Sequence, residues 1–260
     1  MEIMITIAIG MQKGGTGKTT TAICVAAGLV LEGKRVLVID LDPQANLSIA
    51  AGLNPLEGQT IYDCLKDPKI KASEIISTSP YGFDVIPSNL SLSAAEVQLA
   101  TAVNRDRKLA NKLRELEREG YNYDYVLIDC APSLGILTLM ALTAANQVLI
   151  PLQCQQFAAF GLNDFLETMN LVQNELNPNL HLAGVVLTMY DARTKMSRDI
   201  AEEIRKALGD QVMNTVIKFS TKLAEVPTKG PIQAYDPRHE VAQAYNELAK
   251  EILKNVESTQ

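Results

Sequence analysis

The sequence is poor in the residues that most often bind metal ions. It holds four cysteines and two histidines, and no two cysteines form a C-x-x-C pair, the spacing that is typical of zinc sites. Single cysteines within apolar stretches are instead typical of reduced core residues in a cytoplasmic protein. The composition therefore argues against a structural metal centre and favours a cytoplasmic location.

Long apolar runs are also missing from the sequence. No stretch approaches the roughly 20 apolar residues that are needed to cross a bilayer. Residues 1–10 are apolar, but they lack the basic region and the small-residue cleavage site of a signal peptide. We find no internal repeat and no linker rich in glycine or serine. These absences predict a single domain, residues 1–260, without stable membrane association.

The charge balance is mildly acidic. The chain has 24 lysines and arginines against 30 aspartates and glutamates, which gives a formal net charge of −6. Such a total argues against a protein that coats nucleic acid over its whole surface, although it is compatible with a local basic patch. Because 47% of the residues are apolar, the chain can bury a sizeable core.

Runs of isoleucine, valine and leucine alternate with helical patterns along the chain. The runs show no polar/apolar alternation, which is typical of strands that are buried on both faces of a parallel sheet. Strands are predicted at residues 3–9, 35–39, 83–86, 125–128, 147–150, 183–188 and 211–217. Helices are predicted at residues 18–31, 93–100, 107–119, 135–144, 161–175, 197–208 and 236–254. This order predicts an α/β fold with a doubly wound, mostly parallel sheet flanked by helices. In residues 42–81 we expect short surface helices and no strand.

A glycine-rich segment joins the first predicted strand to the first predicted helix. Its residues are Lys13, Gly14, Gly15, Thr16, Gly17, Lys18, Thr19 and Thr20. Without side chains at the glycines, several backbone N–H groups can converge on a phosphate, and the helix N-terminus adds the positive end of its dipole. Lys18 is predicted to bridge the β- and γ-phosphates of ATP, and the Thr19 hydroxyl is predicted to bind Mg²⁺. The segment thus predicts a P-loop nucleoside triphosphatase.

Acidic residues follow two more of the predicted strands. Asp40 and Asp42 come after the second strand, and Asp129 ends the strand at 125–128, at the edge where α/β sheets bind ligands. An aspartate after an apolar run is the arrangement that holds Mg²⁺ next to the P-loop threonine. Asp42 before Pro43 is also typical of a helix cap. The P-loop upstream favours a role in the nucleotide site.

The P-loop departs from the ordinary Walker A pattern, which has glycine where this chain has Gln12. A second lysine, Lys13, precedes the two glycines, and in this the loop resembles the deviant Walker A box of the ParA/MinD family. In that family the corresponding lysine reaches across a dimer to the partner's nucleotide. The effect is like that of an arginine finger, because a cation near the γ-phosphate stabilises transition-state charge.

The resemblance implies a role for each of the candidate residues. It implies that ATP binding produces a homodimer in which Lys13 acts in trans, and that Lys18 holds the triphosphate. Asp42 is expected to position or activate the attacking water, since positioning dominates phosphoryl transfer. Asp40 and Asp129 are expected to belong to the Mg²⁺ site together with the P-loop threonine.

Further segments resemble ParA, the DNA-partition ATPase of this family. They are residues 40–44, 129–135, 151–154, 187–194 and 222–227. The resemblance implies adenine contacts from Met189 and Phe219, and DNA contacts from Arg193 and Lys222. The implied cofactors are ATP and Mg²⁺. The implied partners are a ParB-like centromere-binding protein and double-stranded DNA, bound without sequence preference through its phosphates, so the protein is expected to associate with the nucleoid.

Several alternatives stay open at this point. A MinD-like ATPase would end in a basic amphipathic helix, but residues 251–260 have neither a basic face nor bulky aromatics. An iron-protein relative would need cysteines on glycine-rich loops, and a metabolic ligase of the same fold is disfavoured by residues 187–194. The P-loop begins so early that we expect the short form, without an N-terminal helix-turn-helix domain. A plasmid, a chromosome or a protein assembly all fit as cargo.

Overall fold

The computed structural model describes residues 4–99 and 102–257 of the chain. Within these residues one sheet contains eight strands. In chain order they are β1 Ile5–Ile9, β2 Val36–Leu41, β3 Ser77–Thr78, β4 Asp84–Ile86, β5 Tyr125–Cys130, β6 Gln147–Gln153, β7 His181–Tyr190 and β8 Val212–Lys218. Their order in space is β3-β4-β2-β5-β1-β6-β7-β8. The short β3 is antiparallel to β4, and the other pairs are parallel.

Helices cover both faces of this sheet. They are α1 Lys18–Leu31, α2 Asn46–Ala50, α3 Ile61–Lys66, α4 Ser93–Gln98, α5 Lys108–Arg118, α6 Ile136–Ala144, α7 Ala158–Glu175, α8 Lys195–Leu208, α9 Val226–Lys229, α10 Ile232–Tyr235 and α11 Glu240–Glu257. Successive residues of a strand point to opposite faces. Ile7 and Ile9 of β1 accordingly join the apolar cluster that includes α1 and α11, whereas Ala8 joins the cluster of α5, α6 and α7. The fold is thus doubly wound, as predicted.

Helices α1 and α11 cross closely enough to exclude a side chain at the contact. A Cβ atom placed on Gly28 of α1 would lie 2.8 Å from the Cβ of Ala249 on α11. Both helices are apolar toward the sheet, and Tyr245 of α11 is buried between them and the strands. The absence of a side chain at Gly28 therefore sets how near α11 lies to the helix that follows the P-loop.

The structure confirms the predicted parallel sheet and corrects some of its details. Strands β2 and β5 run further than predicted, so that Asp40 and Asp129 lie within strands and not after them. The expectation of no strand in residues 42–81 is wrong, because β3 pairs with β4 there. A two-residue edge strand buries too little to produce an apolar run, which explains why the sequence pattern missed it. The predicted strand start at residue 3 and helix end at residue 100 lie outside the described residues.

The parallel strands bring the candidate residues to one edge of the sheet. The P-loop follows β1, which lies between β5 and β6. Asp129 lies opposite Ile9 of β1 on one side and opposite Asp40 of β2 on the other. Over the same described residues, no helix has both the length and the apolar character that a membrane crossing requires.

Candidate nucleotide site

The backbone of the P-loop adopts the conformation that its glycines permit. Gly15 and Gly17 have φ angles of 74° and 89°, in the left-handed region that residues with a side chain seldom adopt. Gly17 is the N-cap of α1, and Lys18 is the first residue of that helix. The loop therefore presents a helix N-terminus, with its unpaired N–H groups, at the carboxyl edge of the sheet.

Lys18 lies inside the curve of this loop. Its side chain is only 6% exposed, and its Nζ donates a hydrogen bond of 3.2 Å to the carbonyl oxygen of Lys13. Burial lowers the pKa of Lys18, and the nearby Asp129, Cys130 and Asp42 raise it in part. A buried ammonium held by one carbonyl is well placed to bind phosphate oxygens, which are stronger acceptors.

Asp129 is buried without the partners that a buried carboxylate normally has. It is 1% exposed, and among the described residues neither of its oxygens has a hydrogen-bond partner. Burial raises the pKa of Asp129 well above its usual value, and the facing Asp40 raises it further. Thr19 and Lys18 act in the opposite direction, although the Thr19 hydroxyl does not reach hydrogen-bond geometry. An orphaned buried carboxylate of this kind indicates a cation site.

The carboxylate of Asp40 differs sharply from that of Asp129. It is fully buried, and one of its oxygens accepts hydrogen bonds from the backbone N–H and the hydroxyl of Ser48, at 2.8 and 2.7 Å. Its other oxygen accepts from the backbone N–H of Asp42, at 3.1 Å. Burial raises the pKa of Asp40 to about 6, with these hydrogen bonds opposing the shift.

The residues at the edge fit a Mg²⁺ ion that is also held by a nucleotide. In the described parts of the chain, no group of three or more histidine, cysteine or acidic side chains could hold a metal ion. Thr19 and the orphaned Asp129 would supply oxygen ligands, which Mg²⁺ prefers. Mg²⁺ commonly takes one or two protein carboxylates and completes its octahedron with phosphate oxygens and water.

Asp42 lies in a tight turn just beyond β2. It is mostly buried, and its Oδ1 accepts a hydrogen bond of 3.0 Å from the backbone N–H of Gln44. The carbonyl of Asp42 accepts from Ala45 at 3.0 Å, and Ala45 has a φ angle of 54°. The turn is therefore closed by local hydrogen bonds, with one carboxylate oxygen of Asp42 engaged in it.

An apolar cavity of about 280 Å³ adjoins the P-loop. Its lining includes Gly17, Thr20, Thr188, Met189, Ile217, Phe219, Ser220, Thr221, Leu223, Ala224 and Tyr245. Both predicted adenine contacts, Met189 and Phe219, thus lie in its wall. Met189 has a left-handed φ of 49°, and Phe219 is 57% exposed. Apolar walls with a few polar groups are typical of sites for small molecules and cofactors.

The sequence reasoning missed Thr188 and Tyr245 among the lining residues. Tyr245 comes from α11, and its hydroxyl lies 3.5 Å from the hydroxyl of Thr21 in α1. Thr188 ends the buried part of β7, and its hydroxyl donates to the carbonyl of Thr16 in the P-loop. Thr188 lies in the segment 187–194 that resembles ParA, but no motif marks its hydroxyl, and none marks Tyr245, because the packing of distant elements brings both to the site.

The predicted DNA contacts Arg193 and Lys222 lie in segments that follow the neighbouring strands β7 and β8. Arg193 is 84% exposed in its side chain and donates to both carboxylate oxygens of Asp191, each at 2.9 Å. The Lys222 ammonium lies 3.8 Å from each of Glu225 and Asp236. Both cations thus have acidic neighbours. The side chain of Lys13, by contrast, is half-buried and has no ion pair within the described residues.

Comparison with known proteins gives consistent matches over most of the chain. The family model described as "AAA domain" matches residues 4–182. The sporulation initiation inhibitor protein Soj of Bacillus subtilis is 45% identical over 251 residues, which cover 96% of this chain and 98% of that protein. The chromosome-partitioning ATPase Soj of Treponema pallidum is 44% identical, and the match covers 93% of this chain and 94% of the relative.

Solved structures match over almost the full length as well. A cobyrinic acid a,c-diamide synthase from Mycobacterium smegmatis, with bound ADP and magnesium, has a TM-score of 0.87 at 33% identity and covers 99% of this chain, with 97% of its own chain matched. A putative plasmid partition protein from Borrelia burgdorferi, bound to AMPPNP, has a TM-score of 0.81 at 25% identity, and the match covers 99% of this chain and all of that one.

Proposed function

The chain belongs to the AAA-domain family of Soj and ParA chromosome-partitioning ATPases, and from this premise we propose that it is a partition ATPase that binds and hydrolyses ATP with Mg²⁺. The observation that carries the proposal is the juxtaposition at the sheet edge. A buried lysine inside a P-loop, an orphaned aspartate and an apolar cavity adjoin one another. Together they match the triphosphate, the metal ion and the base of one nucleotide.

In this proposal the P-loop and its neighbours orient the nucleotide. The N–H groups of residues 13–20 and the ammonium of Lys18 hold the phosphates, while Met189 and Phe219 contact adenine. Thr19 and Asp129 would hold Mg²⁺, which would supply positive charge beside the phosphates of the nucleotide. The second carboxylate oxygen of Asp42 accepts a hydrogen bond from the attacking water and orients it in line, and such positioning contributes to the rate of phosphoryl transfer together with charge stabilisation.

The active form is a homodimer that ATP binding assembles. Lys13 reaches from each subunit to the γ-phosphate of the other and stabilises charge in the transition state. The half-buried position of Lys13 at the loop, without an internal ion pair among the described residues, supports this role. Each subunit is a single domain, and the dimer lies in the cytoplasm, where it associates with the nucleoid.

The dimer binds double-stranded DNA without sequence preference, and a ParB-like protein stimulates hydrolysis and release. Arg193 and Lys222 supply phosphate contacts, which depend on charge and weaken as salt rises. The adjacency of β7 and β8 supports a shared surface, since the backbone N–H of Phe219 bonds to the carbonyl of Tyr190, at 3.0 Å. The resulting cycle segregates a plasmid or a chromosome.

The decisive experiment measures ATP turnover and binding to random duplex DNA at low salt, with ATP, with ADP and without nucleotide. We expect DNA binding in the ATP state alone, and dimers by light scattering in that state. Lys18→Ala should abolish nucleotide binding, and Asp42→Ala should retain an ATP-bound dimer with little turnover. A partition role would be refuted if DNA binding were the same with ATP, with ADP and without nucleotide. It would also be refuted if the protein used ATP to amidate a carboxylate substrate.

A further inference from the structure

The two aspartates that face each other on β2 and β5 are held in opposite ways. Asp40 accepts three hydrogen bonds from protein donors, two on one oxygen and one on the other. Asp129 accepts none among the described residues. Both side chains are buried, so bulk water does not supply to Asp129 the hydrogen bonds that Asp40 receives from the protein. One carboxylate is therefore engaged by the protein, and the other is available to a ligand.

Ser48 extends the contacts of Asp40 beyond its own strand. The Ser48 hydroxyl donates to Asp40 at 2.7 Å and accepts from the backbone N–H of Ser88 at 3.0 Å. Ser48 lies in α2, and Ser88 lies in the segment that follows β4. The carboxylate of Asp40 thus joins the end of β2 to the helix α2 and, through it, to the end of the neighbouring strand.

The turn that carries Asp42 lies inside this arrangement. At the start of the turn, the backbone N–H of Asp42 donates to the carboxylate of Asp40. At its far end the helix α2 begins, and Ser48 of that helix donates to the same carboxylate. Between them Ala45 has a left-handed φ of 54°, a conformation that a residue with a Cβ seldom adopts and that surrounding contacts must maintain. The position of Asp42 therefore depends on Asp40 and Ser48.

We infer that Asp40 and Ser48 are positioning residues that hold Asp42 at the attacking water, and that Asp40 is not a ligand of Mg²⁺. The inference rests on the proposed function, and it revises the expectation that Asp40 belongs to the metal site. To bind the ion, Asp40 would have to give up hydrogen bonds in a buried place, where broken ones are costly. Asp129 meets the same need without any such loss.

Two variants separate this role from metal binding. Asp40→Asn keeps the shape of the side chain, but it replaces one of the two accepting oxygens with an NH₂ group, which cannot accept a hydrogen bond. Ser48→Ala removes the hydroxyl alone. Misplacing a catalytic group by about 1 Å costs on the order of 100-fold in rate, so we expect kcat to fall about 10- to 100-fold in both. The Mg²⁺ concentration that half-saturates binding of a fluorescent ATP analogue should change less than about twofold.

Ser79→Ala is the matched control for Ser48→Ala. The Ser79 hydroxyl is buried and donates a hydrogen bond of 2.9 Å to the carbonyl of Ala51, the residue that follows α2. Its loss removes a buried serine hydrogen bond, there to a backbone carbonyl, from the end of α2 that lies away from Asp42. We expect a similar fall in melting temperature for Ser79→Ala and Ser48→Ala, and a lower kcat in Ser48→Ala alone.

The outcomes distinguish this inference from the function on which it rests. If the unmodified chain does not hydrolyse ATP, the proposed function itself fails. If the chain is active and Asp40→Asn raises the Mg²⁺ requirement as far as Asp129→Asn does, Asp40 is a ligand and the inference is wrong. It is equally wrong if Ser48→Ala keeps the kcat of the unmodified chain, or loses no more of it than Ser79→Ala.

Discussion

The hydroxyl of Thr188 donates a hydrogen bond of 2.9 Å to the backbone carbonyl of Thr16, a residue 172 positions earlier in the chain. Thr188 is buried at the end of β7, next to Met189 in the wall of the apolar cavity. This contact joins the P-loop to that wall. The phosphate and base regions of the proposed site are therefore held in one relative position by a contact within the protein itself.

Thr188→Val should weaken nucleotide binding with little change in shape. The substitution removes the donor and leaves the carbonyl of Thr16 buried, and such a loss costs about 1–3 kcal/mol. We expect the Kd for ATP to rise by at least about fivefold, which corresponds to the lower end of that cost, measured by calorimetry. Thr143→Val is the control, because the Thr143 hydroxyl is buried without a partner in the described chain. Equal affinities for the two variants would contradict the coupling.

Asp129→Asn should stabilise the nucleotide-free protein and remove its response to Mg²⁺. The pKa of Asp129 is raised in the folded state. The contribution of Asp129 to the free energy of unfolding is therefore fully present below its unfolded pKa of about 3.9, and it is lost as the pH rises through the folded pKa. The melting temperature of the variant should therefore exceed that of the unmodified chain by a margin that grows from pH 4 upward. A margin that stays constant to pH 8 would speak against a buried, unpaired charge.

Asp191→Asn should strengthen DNA binding at low salt, and Arg193→Ala should weaken it. Arg193 lowers the pKa of Asp191 to about 2, so the acid competes with DNA phosphates for the guanidinium at neutral pH. Exposed pairs contribute little, and we expect a change of about two- to fivefold in Kd by fluorescence anisotropy. Glu202→Gln makes the same change in net charge at the exposed pair with Lys206 on α8. If Glu202→Gln raised the DNA affinity as much as Asp191→Asn, the gain would come from the net charge and not from the release of Arg193.

Gly28→Ala should destabilise the fold, although alanine favours a helix over glycine by about 1 kcal/mol. The added Cβ would lie 2.8 Å from that of Ala249, and overpacking of a core costs about 1–3 kcal/mol. We expect a net loss on the order of 1 kcal/mol in urea unfolding. The double variant Gly28→Ala/Ala249→Gly should recover most of it. Failure of this rescue would place the strain elsewhere.

Local patterns were enough to predict the architecture and to propose which residues form the centre of the site. The predicted helix at residues 18–31 agrees with α1 at both ends, because a glycine loop and a continuous apolar pattern bound it. Lys18 and the aspartates Asp40 and Asp129 were proposed from motifs, since phosphate and Mg²⁺ binding need those residue types at that spacing, whereas the roles of Lys13 and Asp42 were implied by the resemblance to a known family. The edge strand β3 and the short helices α9 and α10 were missed, since so few residues produce no periodic signal.

Sequence alone determined the residue types at the phosphate site, their order along the chain and the parallel sheet that brings them to one edge. Only the tertiary structure decided how each one is held. Asp40 and Asp129 both follow an apolar run in the sequence. In the structure, however, three protein donors bond to Asp40 and none among the described residues bonds to Asp129. Hydrogen bonds and burial depend on residues distant in sequence, such as Ser48 for Asp40 and Thr188 for Thr16, and no local pattern records those contacts.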